Sequence, residues 1–283
     1  MKMNTIHRFF ACLIALLIVA CNTAVLVVGP TDSPTGQTIS LPTSLPTQAP
    51  RPRLTPPITA LPLAQQVTLS TITANESGKA PDYTLQVQIP VLTTAQQDSD
   101  PRVKKFNTEV TALIQGATDQ FRKGLAEQPS KPISGGSYFD VRYALISSPG
   151  KNFISLQFKI EGMSDGAAHP YHITLSFNYD LEKGEQIKLS QLFLHGVNHL
   201  QTIADYCRTE LSKRDIGFEG FSEGADPTDE NYAVWNLSPE GLLIVFNEYQ
   251  VAAYAAGPQS VIIPFEKLDN IINPGEVLAG WRR

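Results

Sequence analysis

The chain has 283 residues, an ordinary hydrophobic fraction of 42% and a net charge of −5, enough for one large or two small folded units. With no Lys/Arg stripe to neutralise phosphates, the balance argues against nucleic acid and favours cationic partners. The three cysteines, Cys12, Cys21 and Cys207, exclude a disulfide framework within the folded part.

The first element is a leader. Lys2 and Arg8 precede the apolar run "FFACLIALLIVA", which has the pattern of a secretory signal over residues 1–20. Its end, Ile18 to Cys21, resembles a bacterial lipobox. That resemblance implies that Cys21 becomes the acylated first residue of an extracytoplasmic, membrane-anchored lipoprotein. Loss of Lys2 and Arg8 with the leader would take the net charge from −5 to −7. The alternative is an uncleaved span from Phe9 to Val28, about 20 residues, with Asn22 and Thr23 as polar breaks in it. The mass of the mature N-terminus separates the two.

Residues 21–63 are rich in Pro, Thr and Ser, a composition that buries too little apolar surface to fold, so a disordered tether is expected. In an extended polyproline conformation it would reach roughly 100 Å.

The folded part is expected from Ala64 as an α+β unit, with an N-terminal half over 64–137 and a C-terminal domain over 138–283. "QQVTLSTIT" and "DYTLQVQIPVL" read as strands, the second with Leu85, Val87 and Ile89 alternating. Asp98 to Gln128 reads as a helix, capped by Ser99 or Asp100, with Val103, Phe106, Val110, Leu113, Ile114, Ala117 and Phe121 on one face. Tyr138–Ile146 and Phe153–Ile160 read as a hairpin around "SPGKN", and "YHITLSFNYDL" with "EQIKL" as another around "EKG". A second helix is expected over Val197–Arg214, where Cys207 falls in step with Leu200, Ile203, Ala204 and Leu211 as a buried thiol. "YAVWNL", "LLIVFN" and "SVIIPF" complete a largely antiparallel arrangement.

Three separated segments carry a family resemblance: the loop "GMSDGAAHPYH", then "FNYDLEKGEQIKLSQLF", then "NYAVWNLSPEGLLIVFNEYQVAAYAAGPQSVIIPFEKL". They resemble the C-terminal domain of lysozyme-sensing anti-sigma factors of the RsiV type, a domain of unknown function that also occurs in exported bacterial lipoproteins and some peptidoglycan deacetylases. The resemblance runs from about Tyr138 to Leu268, with weaker support from Val67. It implies a non-catalytic recognition module for lysozyme or a cell-wall fragment. Only eight residues lie before Phe9 and no catalytic domain follows, so neither sigma-factor control nor intrinsic deacetylation is expected. The alternative is a peptidoglycan-associated enzyme, or an accessory subunit of one.

The ligand-binding candidates are Asp165, His169, Pro170 and Tyr171 in the Ala-His-Pro loop, with Tyr249, Tyr254 and Gly257 in the connection Asn247–Pro258. Those tyrosines either plug the core or present an aromatic surface beside the loop. Asp165, His169 and His172 are acid/base types, but no nucleophile stands beside a base in the sequence, so no catalytic residue is assigned. His195 and His199 have the i,i+4 spacing of a metal pair, yet no third ligand is oriented towards them, and a solvated helix start is the reading taken. No metal or cofactor is expected.

Overall fold

The computed structural model describes residue 63 and residues 66–94, 100–128, 131–147 and 152–273. The leader, Cys21 and all of the tether except Leu63 lie outside the described residues. Leu63 itself is buried, and its N–H donates to Glu182 Oε1 at 2.9 Å.

Alternation along the first strands decides the layers. β1 (Val67–Lys79) and β2 (Asp82–Thr94) pair antiparallel along their full lengths. Leu85, Val87 and Leu92 of β2 are buried together beneath α1 (Pro101–Leu125). α1 starts at Asp100, whose side chain accepts from the backbone N–H of Arg102 at 2.9 Å, and Pro101 fills the first turn, where no N–H is needed. Val103, Phe106, Val110, Ile114, Ala117, Phe121 and Leu125 form the buried stripe of the helix.

The chain returns as β3 (Ser137–Ser147), parallel to β2 over Tyr83–Val87. β4 (Phe153–Met163), β5 (Tyr171–Asp180) and the two-residue β6 (Glu185–Gln186) follow, each antiparallel to its predecessor. The first sheet therefore has the order β1-β2-β3-β4-β5-β6. The β2–β3 ladder joins the two halves expected from the sequence into one sheet. Phe106 meets the rings of Phe177 and Tyr179 edge-on at 5.4 and 5.3 Å, closing a first core between α1 and this sheet.

A second core is built by α2 (His199–Leu211) against a sheet of β7 (Trp235–Leu237), β8 (Gly241–Phe246) and β9 (Gln259–Pro264), in that order. Asn198 caps α2 by accepting from Gln201 N, which starts the helix two residues later than the periodicity predicts. Cys207 is fully buried there, and burial pushes its thiol up to about 12.

The two cores meet across a polar seam. β4 is buried on both faces at its start: Ile154, Leu156 and Phe158 belong to the first core, while Ser155 and Gln157 turn towards the second sheet. Asn236 of β7, fully buried, donates to Ser155 Oγ (2.8 Å) and the Leu156 carbonyl (2.9 Å) and accepts from Gln157 Nε2 (3.3 Å). Asn178 of β5 accepts from Ser155 Oγ (2.7 Å) and donates to the Trp235 carbonyl (2.8 Å). Each amide is satisfied, as burial requires.

β1 forms one edge of the first sheet. Among the described residues no strand pairs with its outer side; Val67 to Asn75 carries no charge, and Ile72 is 56% exposed. The strand runs six residues past Thr73, its expected end, because pairing with β2 carries the polar "ANESGK" along. Conversely, "EQIKL" gives only two strand residues before the chain tightens into a 3₁₀ turn, Leu189–Leu192. No described helix is long and apolar enough to cross a membrane.

Candidate functional site

Beyond the seam, the two sheets part. The outward face of β3, β4 and β5 then forms one wall of an open cleft of about 750 Å³. Asp140, Arg142, Lys159, Glu161 and His172 line that wall, while Leu243, Val245 and the turn from Tyr254 to Pro258 form the other. One wall is charged and the other is largely apolar.

The connection after β8 is what shapes the mouth. Asn247 pairs its side-chain amide with the backbone of Thr174, accepting from its N–H (2.7 Å) and donating to its carbonyl (3.2 Å) as a neighbouring strand would. Glu248 accepts from His172 N (3.1 Å) and holds His172 Nδ1 at 2.6 Å. Gln250 donates to the Gly224 and Asn231 carbonyls at 3.0 and 2.9 Å, Val251 sinks into the second core, and Ala252 is buried beside it. Held at these points, the chain turns through Tyr254–Ala256 and reverses at Gly257, whose φ of 65° suits glycine.

Tyr249 also has φ 65°, a left-handed conformation that costs a non-glycine residue about 1–2 kcal/mol. It leaves Tyr249 43% exposed, with its hydroxyl 3.5 Å from His169 Nε2. Tyr254 stacks on His169 with ring centroids 3.9 Å apart and lies 5.7 Å from Tyr249. Its hydroxyl donates to the Pro170 carbonyl at 2.9 Å. The two tyrosines therefore present an aromatic surface beside the Ala-His-Pro loop, and Val251 and Ala252 serve as the plug.

Of the seven candidates, His169, Pro170, Tyr249 and Tyr254 come together, and Gly257 lies on the adjoining turn of the cleft. Asp165 and Tyr171 face elsewhere. Asp165 accepts from the N–H groups of Ile133, Ser134 and Gly136, and these bonds hold its carboxyl below the usual carboxylate range. Tyr171 packs on the first core against Gly162, and burial pushes its hydroxyl up to about 12. His195 precedes α2 and His199 opens it, its ring stacked on Phe193 at 4.9 Å, so the two do not share a helical face. No group of His, Cys, Asp or Glu able to hold a metal occurs among the described residues.

Sequence reasoning missed the charged wall. Asp140, Arg142 and Lys159 fall within the expected hairpin and Glu161 just past its end, and only the strand partners reveal what they share. Glu161 accepts from Tyr138 Oη at 2.8 Å; burial and that bond push the Tyr138 hydroxyl up to about 12, keeping it a donor. Its other carboxylate oxygen lies 4.0 Å from His172 Nε2. The His172 ring is thus bracketed by two carboxylates and faces no nucleophile in that pair.

Residues 190–266 match the family model described as "Protein of unknown function (DUF3298)", a range that takes in α2, the second sheet, Tyr249 and Tyr254 but not the Ala-His-Pro loop. The chain is 24% identical over 172 residues to the peptidoglycan-N-acetylmuramic acid deacetylase PdaC of Bacillus subtilis (strain 168). That match covers 60% of this chain and 36% of the relative, so it spans about a third of the relative's length. Two solved structures share the fold at 14% identity each. A DUF3298 family member from Bacteroides fragilis NCTC 9343 has a TM-score of 0.59 over 76% of this chain and 97% of its own. A DUF3298 family protein from Pseudomonas aeruginosa PAO1 has a TM-score of 0.51 over 75% and 97%.

Proposed function

We propose that the protein is a cell-envelope binding module of the RsiV type, anchored outside the cytoplasm through an acylated Cys21. Its cleft takes a cell-wall fragment and performs no chemistry on it. The observation that carries this reading is the rim: Tyr254 lines a cleft of ligand size and stacks on His169, with the tilted ring of Tyr249 5.7 Å away. Aromatic faces suit the apolar faces of sugars, and the charged wall suits the polar groups of an attached peptide. The match to part of a peptidoglycan deacetylase supports a wall-related role.

A titration of the detergent-solubilised full chain with purified wall fragments tests the proposal. Saturable binding is expected, weakened about tenfold or more by Tyr254→Ala in a variant with an unchanged melting curve. Unaltered affinity in that variant would remove the rim from the site, and no binding at all would remove the proposal.

Lysozyme is the second reading, favoured by the net charge of −5, which attracts a cationic protein. It predicts binding that weakens as salt rises and that wall fragments do not displace. An enzyme, or an accessory subunit of one, predicts product release from a wall polymer when the protein is added.

A further inference from the structure

The register of the first sheet places like charges directly opposite one another. On β3 and β4, Asp140 is paired with Glu161 and Arg142 with Lys159. Like charges in direct cross-strand contact destabilise a sheet, and exchanging Lys159 with Glu161 would turn both pairs into attractive ones. The chain instead keeps acid beside acid and base beside base. The result is an acidic row and a basic row, two residues apart along the strands, or about 6.6 Å. Glu161 is in turn paired with His172 of β5, whose ring Glu248 holds, so a third carboxylate closes the acidic row.

Both rows lie in the same cleft, opposite Leu243 and Val245. Internal pairing neutralises them only in part. Arg142 Nε lies 2.7 Å from Asp140 Oδ1, and Glu161 accepts from Tyr138, while Lys159 is exposed and makes no ion pair among the described residues.

We propose that this cleft binds a zwitterionic peptide end, with the ligand carboxylate on the Arg142–Lys159 row and its ammonium on the Asp140–Glu161 row. The apolar part of the ligand lies on Leu243 and Val245. Two fixed charges of opposite sign, each one hydrogen bond from its row, span the gap that a small zwitterion bridges. The inference rests on the cleft being the wall-fragment site, and it assigns the charged wall to the peptide part and the aromatic rim to the sugar part.

The test is a calorimetric titration of the solubilised full chain with alanyl-alanine, its N-acetyl form and its C-terminal amide. The free dipeptide is expected to bind, and removing either charge to weaken it by about tenfold. Lys159→Ala should bind the amide and the free dipeptide alike; Glu161→Gln should lose the preference for a free ammonium. Lys159→Ala should melt no lower than the parent, because it relieves a like-charge pair; Glu161→Gln relieves another while its amide oxygen still accepts from Tyr138, so both variants should stay folded in the assay. Blocked and free dipeptides binding equally, or no binding of the free dipeptide at millimolar concentration, would overturn the inference. A wall fragment that still binds when both its ammonium and carboxylate are blocked would overturn it while leaving the proposed function standing. Failure of every wall fragment would remove both.

Discussion

Asp165 gathers four donors on an exposed carboxylate: the N–H groups of Ile133, Ser134 and Gly136 and the Ser134 hydroxyl. It ties the 131–136 approach to β3 onto the loop after β4. Because these bonds favour the ionised form, its folded pKa is depressed below the ordinary value of 3.8. A depressed folded value means that the tie is fully present above 3.8 and is lost as pH falls through the folded pKa. Hydrogen-exchange protection at Ile133, Ser134 and Gly136 is therefore expected to stay level from neutral pH down to about 4 and to fall below it. Asp165→Asn should lower protection at neutral pH and flatten the acid dependence. Level protection in the parent through the acid range would refute the tie. Sequence proximity misleads here: Asp165 and His169 are four residues apart, yet Asp165 faces the 131–136 loop and His169 the aromatic rim.

At the scale of elements, α1 depends on a small polar cluster at its start. Asp100 accepts from Arg102 N at 2.9 Å and from the Arg102 guanidinium at 2.8 Å, and Arg102 continues to Glu182 at 3.1 Å. Asp100→Ala is expected to cost about 1 kcal/mol in a denaturant titration, with the slope of the transition unchanged. Helix α1 was legible because its apolar residues recur at helical spacing and Asp100-Pro101 marks its start. The strands with alternating apolar residues were legible for the same kind of reason. The charged rows were not, since they exist only once β3 and β4 are in register, and a slip of one residue would turn every side chain to the other face. A register shift between Leu145 and Ser147 adds an offset that periodicity does not reveal. The outward pose of Tyr249 was hidden too, because it follows from a positive φ imposed by anchors at Asn247, Glu248 and Gln250.

Over the whole molecule, the two cores are joined by a seam of amides and serine hydroxyls, with Ser147, Ser155 and Ser176 all bonded to β7. Such a seam specifies one docking geometry, because Ser155, Gln157, Asn178 and Asn236 satisfy one another only when the sheets are aligned. Asn236→Ala leaves Ser155 Oγ, the Leu156 carbonyl and Gln157 Nε2 each short of a partner. A loss of about 1–3 kcal/mol is expected in urea. Loss of protection should appear first along β7, where Asn178 meets the Trp235 carbonyl. A neutral effect would show that water replaces the amide and that the seam does not couple the cores.

The bare side of β1 reaches beyond the single chain. Among the described residues no strand pairs there, and the nine consecutive uncharged residues Val67 to Asn75 lack the lysines or prolines that usually discourage accretion. Where many copies are crowded together, hydrogen bonding from rim to rim would extend the sheet from molecule to molecule. Colloidal behaviour would then be governed at the margin of the fold farthest in strand order from the cleft, and charge added near Val67, at the end away from Asn75 and its neighbours Asp140 and Glu161, would disperse the protein without touching its ligand.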